Sequence, residues 1–93
     1  MFHQIKSALK KYQFEIDENA IDFTDFSGII NDYVVEGSIE IHDNTLDYSV
    51  SFYDIKNDIE YDGMIGSFHG VDNDTNFDEL IKRIILPNFV KLP

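Results

Sequence analysis

The side chains of this chain best able to do chemistry are carboxylates: 18 Asp and Glu stand against 7 Lys and Arg, with three histidines and no cysteine in 93 residues. Every acid lies between Glu15 and Glu79. Lys56 is the one base in that stretch, which therefore carries −17, and the other six bases sit at the two ends. Such a field repels nucleic acid and anionic membrane and draws basic surfaces towards it.

Specific chemistries fit the residues poorly. Asp72-Asn73-Asp74-Thr75-Asn76 imitates the start of a calcium loop, but Phe77 stands where glycine is needed and Arg83 where the closing glutamate is needed. The segment reads instead as a helix start, with Thr75 or Asn76 as the cap and Asp78 or Glu79 completing a capping box. His3, His42 and His69 form no HxH or HxxxH pair, so no metal site and no cofactor is expected. Glu36 and Asp62 are acids of the kind a glycosidase pairs, but such a pair needs a cleft and one raised pKa. No phosphate-binding glycine loop and no nucleophile elbow occurs.

The elements that must position these side chains follow from periodicity. Phe2, Ile5, Leu9 and Tyr12 recur at helical spacing, which predicts an amphipathic helix over 2–12. Two short strands follow, 14–17 and 21–24, joined by a turn at Glu18-Asn19; the first also reads as a loop. Phe14 and Ile16 alternate against Glu15 and Asp17, and Ile21 and Phe23 against Asp22 and Thr24. Phe26-Ser27-Gly28 reads as a bend or bulge. Residues 33–42 and 45–54 alternate with period two, and Asp43-Asn44 between them suits a type I′ turn. That register sets Ile41 against Leu46, Ile39 against Tyr48 and Val35 against Phe52. A loop at 55–58 leads to a strand from Ile59 to about Phe68, with a bulge at Gly63. Phe77, Leu80, Ile81, Ile84 and Ile85 form a second helical stripe, which Pro87 ends or kinks. Within it, Asp78 and Lys82, and Glu79 and Arg83, stand as i,i+4 pairs.

The expected fold is a single α+β domain: an antiparallel sheet of four to five strands with the N-terminal and C-terminal helices packed on one face. The other face then presents Glu36, Glu40, Asp47, Glu60 and Asp62, with Tyr53, Ser49 and Ser51 among them and no base. Glu40 falls directly opposite Asp47, an arrangement that costs stability. Many of the other acids belong to turns and need no functional reason. The face points to a non-enzymatic inhibitor that binds a basic protein surface, such as a nucleic-acid-binding enzyme, by imitating phosphates. In that reading the five acids make the phosphate-like contacts and Tyr53 is a packing anchor. An immunity protein or antitoxin covering a basic toxin uses the same chemistry. A small hydrolase using a carboxylate with His42 or His69 would need a pocket holding the histidine. An assembly component would expose an apolar patch or an edge strand, to be sought at Val34 and in residues 87–93. The expected state is a monomer or weak homodimer in the cytoplasm, touching neither nucleic acid nor membrane; no apolar run reaches the roughly 20 residues of a membrane helix.

Overall fold

The computed structural model describes residues 1–91, with the backbone alone for Asp62 and for residues 87–91. The elements run α1 (Phe2–Lys10), β1 (Glu15–Ile16), β2 (Phe23–Ile30), β3 (Tyr33–His42), β4 (Thr45–Asp54), β5 (Ile59–His69) and α2 (Phe77–Lys91). The five strands form one antiparallel sheet in chain order. The fold is α+β, as the alternating patterns predict.

The apolar stripes of both helices close over one face of this sheet. Ile5, Ala8 and Leu9 of α1 and Ile81, Ile84 and Ile85 of α2 share a core with Phe26, Val35, Ile39, Leu46, Val50 and Phe52. Each such large side chain contributes about 1.5–3 kcal/mol by leaving water. The β3–β4 register is the expected one: Ile41 faces Leu46, Ile39 faces Tyr48 and Val35 faces Phe52. Asp43 and Asn44 both adopt positive φ, 48° and 57°, as a type I′ turn requires. On β5 a register shift lies between the partners of Val50 and Phe52, so Asp62 and Gly63 share the place opposite Ser51. The bulge at Gly63 is therefore present. Asn76 Oδ1 accepts the Glu79 N–H at 3.2 Å and caps α2, and Arg83 Nε lies 3.7 Å from Glu79.

Three expectations are corrected. Residues 14–17 and 21–24 do not form a hairpin turning at Glu18-Asn19. Instead Glu15 pairs with Ser27 and Ile16 with Phe26, and residues 17–22 form the connection. That connection is held from outside the sheet, because Lys6 Nζ donates to the Glu18 and Ala20 carbonyls at 3.1 and 2.8 Å. Phe26-Ser27-Gly28 is the interior of β2 rather than a bend. Its glycine is a packing device: a Cβ on Gly28 would stand 2.6 Å from the Phe14 ring, and one on Gly37 would collide with the Ser49 carbonyl oxygen and stand 2.6 Å from the Phe26 ring. The inward residues of β2 are Thr24 and Phe26, 1% and 2% exposed, whereas Ile21 and Phe23 are exposed. Of the two outcomes expected at Pro87, an end or a kink, the end does not occur: α2 continues to Lys91. Proline cannot donate to the Arg83 carbonyl, yet the helical backbone does not stop there.

Two further differences are local. The first helix ends at Lys10, and Gln13 takes φ 63° to lead the chain towards β1. Asp78 is bonded at 2.6 Å to Lys11, the residue just past the end of α1, so it ties α2 to the end of α1 rather than bracing its own helix through Lys82.

Candidate functional site

The outer face of the sheet is laid out by register. Outward positions line up across the strands as Ile29, Val34, Tyr53 and Glu60; then Glu15, Ser27, Glu36 and Ser51; then Asp25, Ser38, Ser49 and Ile65; then Phe23, Glu40, Asp47 and Ser67. No strand contains Lys or Arg. Glu36, Glu40, Asp47, Tyr53 and Glu60 thus share one face. Asp62 falls at the bulge, beside the same face in backbone position, and its side chain lies outside the described residues. Glu15 and Asp25 join the acids, a pair the sequence reading missed because it ended β2 too early.

The face is less uniformly acidic than the sequence implied. Ile65 and Ile29 are 89% and 67% exposed, and Phe23 is 45% exposed. Val34 is half-buried at the end of the face near Tyr53, while the apolar side chains of residues 87–93 lie outside the described residues. Serines occupy the middle. Ser38 and Ser49 share a hydrogen bond of 2.9 Å, and Ser51 Oγ donates weakly to the Glu36 carbonyl at 3.4 Å. Because these side chains are small, the surface dips there, and Glu36 borders each of three shallow depressions along the trough.

Glu40 and Asp47 stand directly opposite one another. The juxtaposition has a partner that strand alternation alone did not supply. His42, two residues after Glu40 and so on the same face, hydrogen-bonds Asp47 Oδ2 through Nε2, and Ser67 Oγ donates to Oδ1. These bonds, Ser67's first and then His42's, hold the Asp47 carboxyl below its ordinary pKa of 3.8. The bond to Asp47 chiefly, helped by the charges of Asp47, Glu40 and Asp43, lifts His42 above its ordinary 6.5. Donor atoms of Glu40, His42 and Asp47 lie within 4.8 Å of one another. They are the described residues closest to a cation-holding set, assembled by cross-strand register and invisible to a search for HxH spacing. All are solvent-facing, and both Asp47 oxygens are already engaged.

Tyr53 is also engaged. Its hydroxyl donates to the Asp58 carboxylate, and that bond above all raises its pKa. The ring is thereby fixed at the edge of the face, beside Val34 and Glu60.

The geometry does not assemble a hydrolytic relay at His42. Activating a hydroxyl requires imidazole between serine and acid, but here Asp47 sits between Ser67 and His42. His69 Nδ1 lies 3.3 Å from Thr45 Oγ1 on the neighbouring strand. The three depressions bordered by Glu36 include neither His42 nor His69. No protein-family model, curated protein or solved structure matches the chain.

Proposed function

We propose that the outer sheet face binds a basic protein surface and that the chain is a non-enzymatic inhibitor acting there by phosphate mimicry. A groove built for nucleic acid is the intended target, and a setting in the cytoplasm of a cell carrying a phage or mobile element suits such a protein. The observation that carries the reading is Glu40 opposite Asp47, with Glu36, Glu60, Glu15 and Asp25 around them and no lysine or arginine on any strand. Like charges on facing strands cost stability, so a surface selected for stability alone would mix signs. Ile29, Val34 and Tyr53 add an apolar row at one end, which gives a protein partner something to bury while carboxylates steer its approach. An immunity protein or antitoxin uses the same surface on a toxin, and the partner's identity separates the two.

The test is capture of partners from the host cell on immobilised protein, eluted by a salt gradient and by duplex DNA as competitor. The proposal expects a basic nucleic-acid-binding enzyme, released by moderate salt and displaced by DNA. Glu36→Lys with Glu40→Lys should abolish capture while leaving the fold intact, since both side chains are exposed. Capture that ignores salt, or survives the double variant, removes the reading.

A further inference from the structure

The two edges of the sheet are unlike. At one edge β1 is two residues long and opens with Glu15, and the β2 segment beyond it carries Asp25. Short strands and charges are how sheets keep other chains from adding to them. At the other edge β5 runs for 11 residues and is hydrogen-bonded to β4 alone. From Gly63 to His69 it reads Gly-Met-Ile-Gly-Ser-Phe-His, with no acid, lysine, arginine or proline. Ile65 is 89% and Met64 38% exposed in this stretch. A long edge left open in this way is a template for another strand.

We infer that β5 pairs antiparallel with β5 of a second copy of this chain, with Gly66 opposite Gly66 on the two-fold axis. The sheet then continues from one copy into the other, with the helices of both on the same side. This register places Met64 opposite Phe68 on the helix side and Ile65 opposite Ser67 on the outer side, each twice by symmetry. The two Ile65 side chains become diagonal neighbours, about 7–8 Å apart. The bulge shared by Asp62 and Gly63 ends the regular stretch where the pairing ends.

Charge selects the second copy over a basic segment. A basic segment is drawn to the carboxylates of the outer face, whereas the β5 edge offers it none between Gly63 and His69. Two copies of an acidic chain can meet there because their charges stay apart. The nearest outer-face carboxylate, Asp47, is one strand in from the seam, so the two Asp47 residues are three strand spacings apart. That is about 14 Å, beyond the Debye length of about 8 Å at physiological salt. Glu60 and Asp62 both precede the paired stretch, so those of the two copies fall at opposite ends of the seam.

Sedimentation across a protein concentration series, at low and high sodium chloride, tests this. The expected result is a reversible dimer that tightens as salt rises, the opposite salt response to capture of a basic partner by the outer face. Ile65→Asp should weaken dimerisation about tenfold or more, by bringing two carboxylates to diagonal positions. It should leave the monomer's circular dichroism and melting unchanged, because Ile65 is in water in the single copy. Hydrogen exchange on the unmodified chain locates the contact: amides of 63–69 should slow as concentration rises. A chain that stays monomeric at high salt and high concentration overturns the inference. So does an Ile65→Asp variant that dimerises like the parent, or protection that rises elsewhere while 63–69 is unaffected.

Discussion

His42 and Asp47 are joined through Nε2 and Oδ2 across the end of the β3–β4 hairpin, on the face where Asp47 also meets Glu40. The bond makes the least favourable charge pair of the sheet conditional on pH. With His42 protonated, the three side chains carry one net negative charge; with it neutral, they carry two.

The sign of the resulting stability change follows from the two shifts. His42 holds its proton more tightly folded than unfolded, so its contribution is complete below 6.5 and is lost as pH rises through the raised folded value. Asp47 behaves oppositely: its contribution is present above 3.8 and disappears as pH falls through the lowered folded value. The pair therefore stabilises most between 3.8 and 6.5. The melting temperature lost by His42→Gln should be larger near pH 5 than near pH 8.5. Equal losses at both would show that the bond contributes nothing.

Glu40 lies outside that bond. It attracts His42 while the ring is protonated, so the cost of facing Asp47 stands alone only where His42 is neutral, near pH 8.5. There Glu40→Gln should raise the melting temperature by roughly 1–5 °C at low salt, and the gain should shrink as salt screens the pair. The same change should weaken capture of a basic partner. A variant more stable and less active would identify the carboxylate as kept for binding. If stability falls instead, the juxtaposition is structural after all.

The two main hairpins turn on the same device. Asn31 and Asp32 take φ 50° and 67° between β2 and β3, as Asp43 and Asn44 do between β3 and β4. Left-handed backbone costs an ordinary L-residue about 1–2 kcal/mol, a cost that Asn softens. Asn31→Ala and Asn44→Ala should each destabilise by about that amount in urea denaturation, and glycine at either position should be tolerated. A silent Asn31→Ala would mean that the β2–β3 turn is not under this constraint.

How far the chain could be read by eye follows from such local devices. The β3–β4 hairpin was legible because period-two alternation and a two-residue turn agree on one register, and the Glu40–Asp47 pair followed from it. The Asn31-Asp32 turn carries the same signal, but Gly28 beside it reads as a bend when taken alone. Gly28 is small because the Phe14 ring lies on it, and Gly37 because the Ser49 carbonyl and the Phe26 ring do, tertiary causes that no local pattern reveals. With β2 cut short, Glu15 and Asp25 dropped out of the face, the exposed Ile29 went unplaced, and Phe23 fell on the wrong side of its strand. The His42–Asp47–Ser67 cluster joins three strands, so only register brings it together.

The phase of β2 gives the sharpest test of this fold. Alternation alone turns Ile21 and Phe23 inward and Thr24 outward, whereas Thr24 is 1% exposed and Ile21 83%. The Thr24 hydroxyl accepts the Asp17 N–H at 2.9 Å and donates to the Asp25 carbonyl at 2.8 Å, pinning the 17–22 connection to the strand. Thr24→Val keeps the shape but strands the Asp17 N–H in a part-buried place. It should cost about 1–3 kcal/mol. Ile21→Ser should cost under about 0.5 kcal/mol, as at any open surface position. The alternation rule alone expects the reverse order, with serine at 21 opening the core and valine at 24 doing little. Chemical denaturation of the two variants decides between them, and a larger loss at Ile21 than at Thr24 would refute the register of β1 and β2 described above.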